Sequence, residues 1–224
     1  MLYIYLLLLL SIVISGLSSL FIKARYNQYS KIGNVKKISG VEVAQELLKA
    51  NGLDNVYVVE TKGYLSDHFD PSANVVRLSS EVFHGESISS ASIAAHEVGH
   101  AIQHKEGYTL MKIRSRIVPA INLCSKLGYV AIMIGFFAGI TDLALLGIVL
   151  LSTILLFQLV TLPVEFDASR RGLANLEKLR ILSVNEMEGS QKVLTAAALT
   201  YVAGLITTLI EIARLLLSVM GDRR

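Results

Sequence analysis

Apolar residues gather into a few long blocks along this chain, and the charged residues lie almost entirely between them. The first block runs from Leu2 to Ile22. At about 1.5 Å of rise per helical residue, it is long enough to cross a hydrocarbon core of about 30 Å. A cleaved signal peptide would open with a basic region and carry a shorter apolar core. No Lys or Arg precedes Leu2, so the block reads as an uncleaved anchor. Leu127–Ile140 and Leu143–Leu162, parted by Thr141-Asp142, read as a helical hairpin whose first arm starts earlier, near Val118. Gly135 and Gly139 form a small-xxx-small pair that permits close helix packing. The last block, Val193–Met220, holds Glu211 and Arg214, which can pair on one helix face, and reads as a fourth span.

The polar stretches between these blocks have periodicities of their own. Val43, Ala44, Leu47 and Leu48 share one face of a helix predicted over Gly40–Ala50, with Asn51-Gly52 as its stop. Val56–Glu60 and Asn74–Ser79 read as short Val-rich strands. Ser90 caps a helix expected from about Ala91 through His104. A further helix follows Pro163, and Ser183–Glu186 has the pattern of a capping box. The expected organisation is an anchor (1–22), a catalytic segment (23–126), a transmembrane hairpin (127–162), a segment completing the site (163–192) and a last membrane helix (193–220).

Composition agrees with a membrane protein: 53% of residues are hydrophobic, 17% are charged, and mean hydropathy is +0.55. Confining charge to the connecting segments is what a bilayer demands, because a charged side chain at its centre costs several kcal/mol. Cys124 is the only cysteine, which excludes an internal disulfide and a cysteine-based zinc site. A formal charge of +3 gives no reason to expect nucleic acid as a partner. Most Lys and Arg lie in the two polar segments, and Lys23, Arg25, Lys112, Arg114, Arg116 and Lys126 flank apolar blocks. That bias puts both segments on the cytosolic side and the N-terminus outside, with Arg223 and Arg224 weighing mildly against it.

His96-Glu97-Val98-Gly99-His100 is an H-E-x-x-H motif within a predicted helix. Residues four apart share a helix face, so the two imidazoles can converge on one Zn²⁺. Glu97 then projects beside the metal, where it can take a proton from the attacking water and pass it to a leaving amine. A catalytic zinc needs a third protein ligand. His104 stands about 12 Å along the axis from His96, too far to share the ion. Gln103 and Glu106 occupy the positions where a metzincin carries Gly and a third His. Asp67, His68, Asp70, His84, Glu165 and Asp167 remain as candidates. A two-span hairpin returns the chain to the side it left, which favours Glu165; the competing reading pairs Glu165 with Arg170 or Arg171 at the membrane interface. Tyr64, His84 and His104 are possible oxyanion stabilisers.

The segments GYLSDHFDP, VRLS, HEVGHAIQH and, after the hairpin, PVEFDASRRGL resemble the YugP-like membrane zinc metallopeptidases along nearly the whole chain. More distantly they are similar to HtpX-type gluzincins. The resemblance implies that Glu165 is the third zinc ligand, and that Asn74–Ser79 is an edge strand able to align an extended peptide; on the residues alone, a core strand accounts for that stretch equally well. Ser169 stands where HtpX-type proteins carry an aspartate, which leaves carboxylate support for a ligand histidine unassigned; Asp167 is a candidate for it.

The expectation is an α+β, mostly helical, zincin-like domain on about four membrane helices. It would be a zinc-dependent endopeptidase with metal ligands His96, His100 and Glu165, Glu97 as base, and peptides or proteins as substrates. Two alternatives stand beside it: a site-2-type intramembrane protease, which places the motif inside an apolar span, and a non-catalytic zinc-binding membrane scaffold.

Overall fold

The computed structural model describes residues 2–221, so Arg223 and Arg224 of the charge argument lie outside the described residues. Contacts divide the chain into two units: Leu20–Met111 with Pro163–Ala198, and Met1–Ser19 with Lys112–Leu162 and Leu199–Arg224.

The first of these units holds the sheet and the motif. It begins at the end of α1 (Leu2–Ser30), where Tyr26 and Tyr29 are buried. The helix α2 (Gly40–Ala50) forms as its periodicity dictates. Ser39 and Glu42 close a capping box, and Val43, Ala44, Leu47 and Leu48 turn into the core. Strands β1 (Tyr57–Thr61), β2 (His68–Asp70) and β3 (Val75–Ser79) form a sheet in the order β1-β3-β2. β1 runs parallel and β2 antiparallel to β3, with Tyr57 opposite Val75 and His68 opposite Arg77. This decides between the two readings of Asn74–Ser79: it corrects the edge strand that the resemblance implied and agrees with the core strand. The strand is central, its Val76 and Leu78 are buried, and both of its edges are paired, so it offers no edge for an added peptide strand.

The short helix α3 (Ser80–Phe83) leads into α4 (Ile88–Lys105), which carries the motif. α4 starts a turn earlier than expected, because its cap is Ser87, whose Oγ accepts the Ser90 N–H at 3.0 Å. α4 is buried along most of its length, with Ala91, Ala94, Ala95, Val98 and Ala101 wholly enclosed.

The other unit contains the apolar helices. α5 (Thr109–Ala138) starts well before Val118 and runs through Pro119. α6 (Thr141–Lys178) runs through Pro163 without a break, so the separate helix expected after that proline is the second half of α6. The turn between them is made by Gly139, with φ at +68°, and Thr141 already opens α6. Gly139 is therefore the turn residue and not a packing glycine. The close approach of α5 to α6 rests on Gly135, where a Cβ would lie 2.5 Å from Ala144 N, and on Gly128 facing Gly147. α7 (Val184–Gly221) opens with Glu186 accepting the Ser183 N–H at 2.7 Å, and Arg214 Nε donates to Glu211 at 2.8 Å as expected.

Among the described residues α1, α5, α6 and α7 are long and apolar enough to cross a membrane, and α4 is not one of them. The architecture is the α+β, mostly helical one expected, with a small sheet and four membrane-length helices.

Candidate metal centre

Two helices build the centre. α4 presents His96 and His100 on one face, and the stretch of α6 beyond Pro163 presents Glu165. Their close approach has a sequence cause. A Cβ on Gly99 would lie 2.3 Å from the carbonyl oxygen of Ala168, and one on Gly172 would lie 2.8 Å from that of Ala95. The two backbones therefore touch at two glycines about one turn of contact apart, and no other residue fits at position 99 without moving a helix. Gly99→Ala is expected to weaken zinc binding by about ten-fold and to cost about 1–3 kcal/mol in stability, the usual range for overpacking. Zinc titration beside thermal melting checks this, and an unchanged affinity would contradict the contact.

The contact sets the donor atoms. Glu165 Oε2 stands 3.3 Å from His96 Nε2 and 3.4 Å from His100 Nε2. Among the described residues, the His, Cys, Asp and Glu atoms grouped closely enough to hold an ion are those of His96, His100 and Glu165, all within 4.8 Å of one another. Two atoms each about 2.0–2.1 Å from a tetrahedral zinc are separated by about 3.3–3.4 Å. Both carboxylate–imidazole distances match that separation, and the two imidazoles and the carboxylate together are a donor set that would hold zinc.

The other ring nitrogens are engaged. His96 Nδ1 lies 3.0 Å from Ser169 Oγ, and His100 Nδ1 lies 3.0 Å from Gln103 Oε1. Neither partner is the carboxylate sought from the sequence. Asp167 lies on the outer side of Gln103, accepting its Nε2–H at 2.9 Å. Arg170 and Arg171 both pair with Asp167 and not with Glu165, as the interfacial reading would have had it. Glu97 is 7% exposed. Burial pushes its carboxyl above the usual range; His96 and His100 oppose the shift, and the charges of Glu165 and Asp67 add to it.

The remaining candidates are held elsewhere. Asp67 accepts the Ser79 N–H at 2.8 Å, fastening the loop before β2 to the end of β3. His68 is exposed, with Nδ1 on the Ser66 carbonyl at 2.8 Å. Asp70 accepts from Ser72 and Ala73 in a turn. His84 pairs with Glu60 at 3.3 Å, the His104 ring packs on Phe69, and Tyr64 packs edge-on to Tyr26. Beside Ser169 opens a cavity of about 370 Å³, walled by Phe166, Leu173 and Leu194 on one hand and by Arg170, Glu177 and Gln191 on the other. Gln103 and Ser169 are the site residues whose parts sequence reasoning missed. The available signal was spacing: Gln103 follows His100 by three and Ser169 follows Glu165 by four, each on its ligand's helix face.

A sequence model of the family described as "Putative neutral zinc metallopeptidase" matches residues 4–220. The chain is 42% identical over 202 residues to a Bacillus subtilis (strain 168) protein named "Putative membrane protease YugP", covering 90% of each chain. No solved structure gives a significant match. Zinc is the metal of that family, and the His96, His100 and Glu165 cluster is a site suited to it.

Proposed function

Since the chain belongs to the neutral zinc metallopeptidase family, we propose that it is a membrane-embedded endopeptidase whose zinc is held by His96, His100 and Glu165, with Glu97 as general base. One observation carries the ligand set: two Nε2 atoms stand 3.3 and 3.4 Å from a single carboxylate oxygen, the edge length of a zinc tetrahedron. Zinc, when bound, supplies a Lewis acid for the scissile carbonyl and lowers the pKa of water.

The rest falls to the chain's own side chains. Glu97, one residue beyond His96 and buried, takes a proton from water as the oxygen–carbon bond forms. It returns that proton to the amine as the carbon–nitrogen bond breaks. Its burial supports this role, because a carboxyl raised above the usual range is a better proton acceptor than a solvated one. The cavity beside Ser169, of mixed apolar and polar lining, has room for a substrate side chain near the metal centre.

The clustering of Lys and Arg beside the apolar blocks supports a multi-pass protein with the site on the cytosolic side. Glu165 follows the apolar arm ending at Leu162 by three residues, and that nearness along the chain favours membrane proteins and their exposed tails as substrates. Chelation of the detergent-purified protein is expected to abolish casein hydrolysis and zinc readdition to restore it. A zinc-loaded protein that cuts nothing in a peptide library would support the scaffold alternative. The substrate class has its own check: in detergent, a membrane protein with a disordered tail should be cut faster than soluble casein, and equal rates would refute the preference.

A further inference from the structure

His100 is oriented through a neutral amide, with a carboxylate one step behind. Gln103 is fully buried, and its side-chain amide has three partners. Its Nε2 donates to the Val164 carbonyl at 2.8 Å and to Asp167 Oδ2 at 2.9 Å. A carbonyl oxygen and an ionised carboxylate only accept, so the NH₂ end of the amide has to lie on that side. Oε1 is thereby turned toward His100 Nδ1, 3.0 Å away. An acceptor there requires the proton of neutral His100 to sit on Nδ1. The lone pair is then left on Nε2, the atom 3.4 Å from Glu165.

The far end of the chain of contacts is also fixed. Asp167 is held by Arg170 and, through Oδ2, by Arg171 Nε at 2.5 Å. Arg171 Nη1 reaches Glu106, the residue that caps the end of α4, at 2.6 Å. Asp167 therefore cannot swing toward His100, and Gln103 cannot invert without setting two oxygens against its own.

We propose that Gln103 is the positioning residue for His100 and that Asp167 acts on His100 only through Gln103, as a relay that selects the tautomer with Nε2 free. The inference rests on the reading of His100 as a zinc ligand. The amide has a physical advantage over a direct carboxylate. Glu97 and Glu165 are both buried at this centre, and a third buried negative charge against His100 would add repulsion between carboxylates. Gln103 gives the ring direction without the charge, and the Asp167 charge is kept at the arginine side.

The experiment is a double-mutant cycle read as zinc affinity, measured by chelator competition on the detergent-purified full chain. Gln103→Leu is expected to weaken zinc by about 10–100-fold, the usual cost of removing the outer partner of a metal-bound histidine. Asp167→Ala should weaken it in the native background and have no further effect in the Gln103→Leu background. Gln103→Glu, similar in size, should lose as much as Gln103→Leu, because its second oxygen faces the Val164 carbonyl and Asp167. With cobalt(II) in place of zinc, the visible spectrum should shift in Gln103→Leu while the metal-free proteins melt alike. Additive losses, an unchanged affinity in Gln103→Leu or full affinity in Gln103→Glu would each overturn the relay. If Gln103→Leu does not fold, the same cycle with Gln103→Glu in its place decides it. Failure of the underlying reading is distinguishable, since wild type itself would then bind no zinc.

Discussion

Glu97→Gln is expected to keep its zinc and stop cutting peptides. The amide matches the carboxylate in shape but has no site that takes a proton at neutral pH, so the water stays unactivated and the leaving amine unprotonated. A positioned general base contributes about 10²–10⁴-fold to such reactions, and the loss should fall in that range. Zinc should stay, because the donor atoms grouped within 4.8 Å belong to His96, His100 and Glu165 and not to Glu97. Metal analysis and casein hydrolysis on the same preparation give both readings. Hydrolysis surviving at more than about a tenth of the wild-type rate would remove Glu97 from the chemistry. Zinc lost along with activity would show Glu97 to be part of the metal shell.

Glu165→Ala should instead lose the metal. It removes the one anionic donor of the cluster and leaves two neutral imidazoles, so affinity should drop by more than about 100-fold, beyond what loss of an outer partner costs. Glu165 is also buried, at 2% exposure, and truncation leaves a small cavity, so an unfolded variant would give the same zinc reading. Glu165→Gln separates the two causes. It fills the same space, and should melt like the metal-free wild type while binding zinc far more weakly. If Glu165→Ala holds a full equivalent of zinc, the third ligand lies elsewhere, and the stretch from Asp67 to His84 is where to look.

How much of this was legible beforehand depended on whether the cause was local. The α2 helix and the motif helix α4 declare themselves through apolar spacing, and the four long helices through length and hydropathy alone. Strand β2 does not, because His68-Phe69-Asp70 is too short for an alternation and stands beside Pro71, which reads as a turn. The central place of β3 was hidden for another reason: strand order follows from partners distant in the chain. A proline misled in the usual direction. Pro163 removes a helical hydrogen bond and reads as the start of a separate helix, yet α6 continues through it. At the centre, HEVGH was plain from its residues, and Glu165 followed from topology and resemblance. The Gln103–Asp167 and Ser169 contacts were not legible, since they exist only once α4 and α6 touch. Gly99 was the missed clue: a glycine inside a helix is unfavourable without a close neighbour, and here the neighbour is Ala168.

The placement of the cluster residues along the chain has a consequence for biogenesis. His96 and His100 precede the α5–α6 hairpin, while Glu165 follows its apolar arms. A ribosome therefore releases both histidines and Glu97 long before the residue that completes the cluster. Until α6 has been made past Glu165, the nascent chain has two imidazoles and no anionic donor to join them. Under the proposed function, proteolytic competence would thereby be deferred to a chain whose hairpin has already been synthesised, and a half-made product at the insertion machinery would carry no working blade.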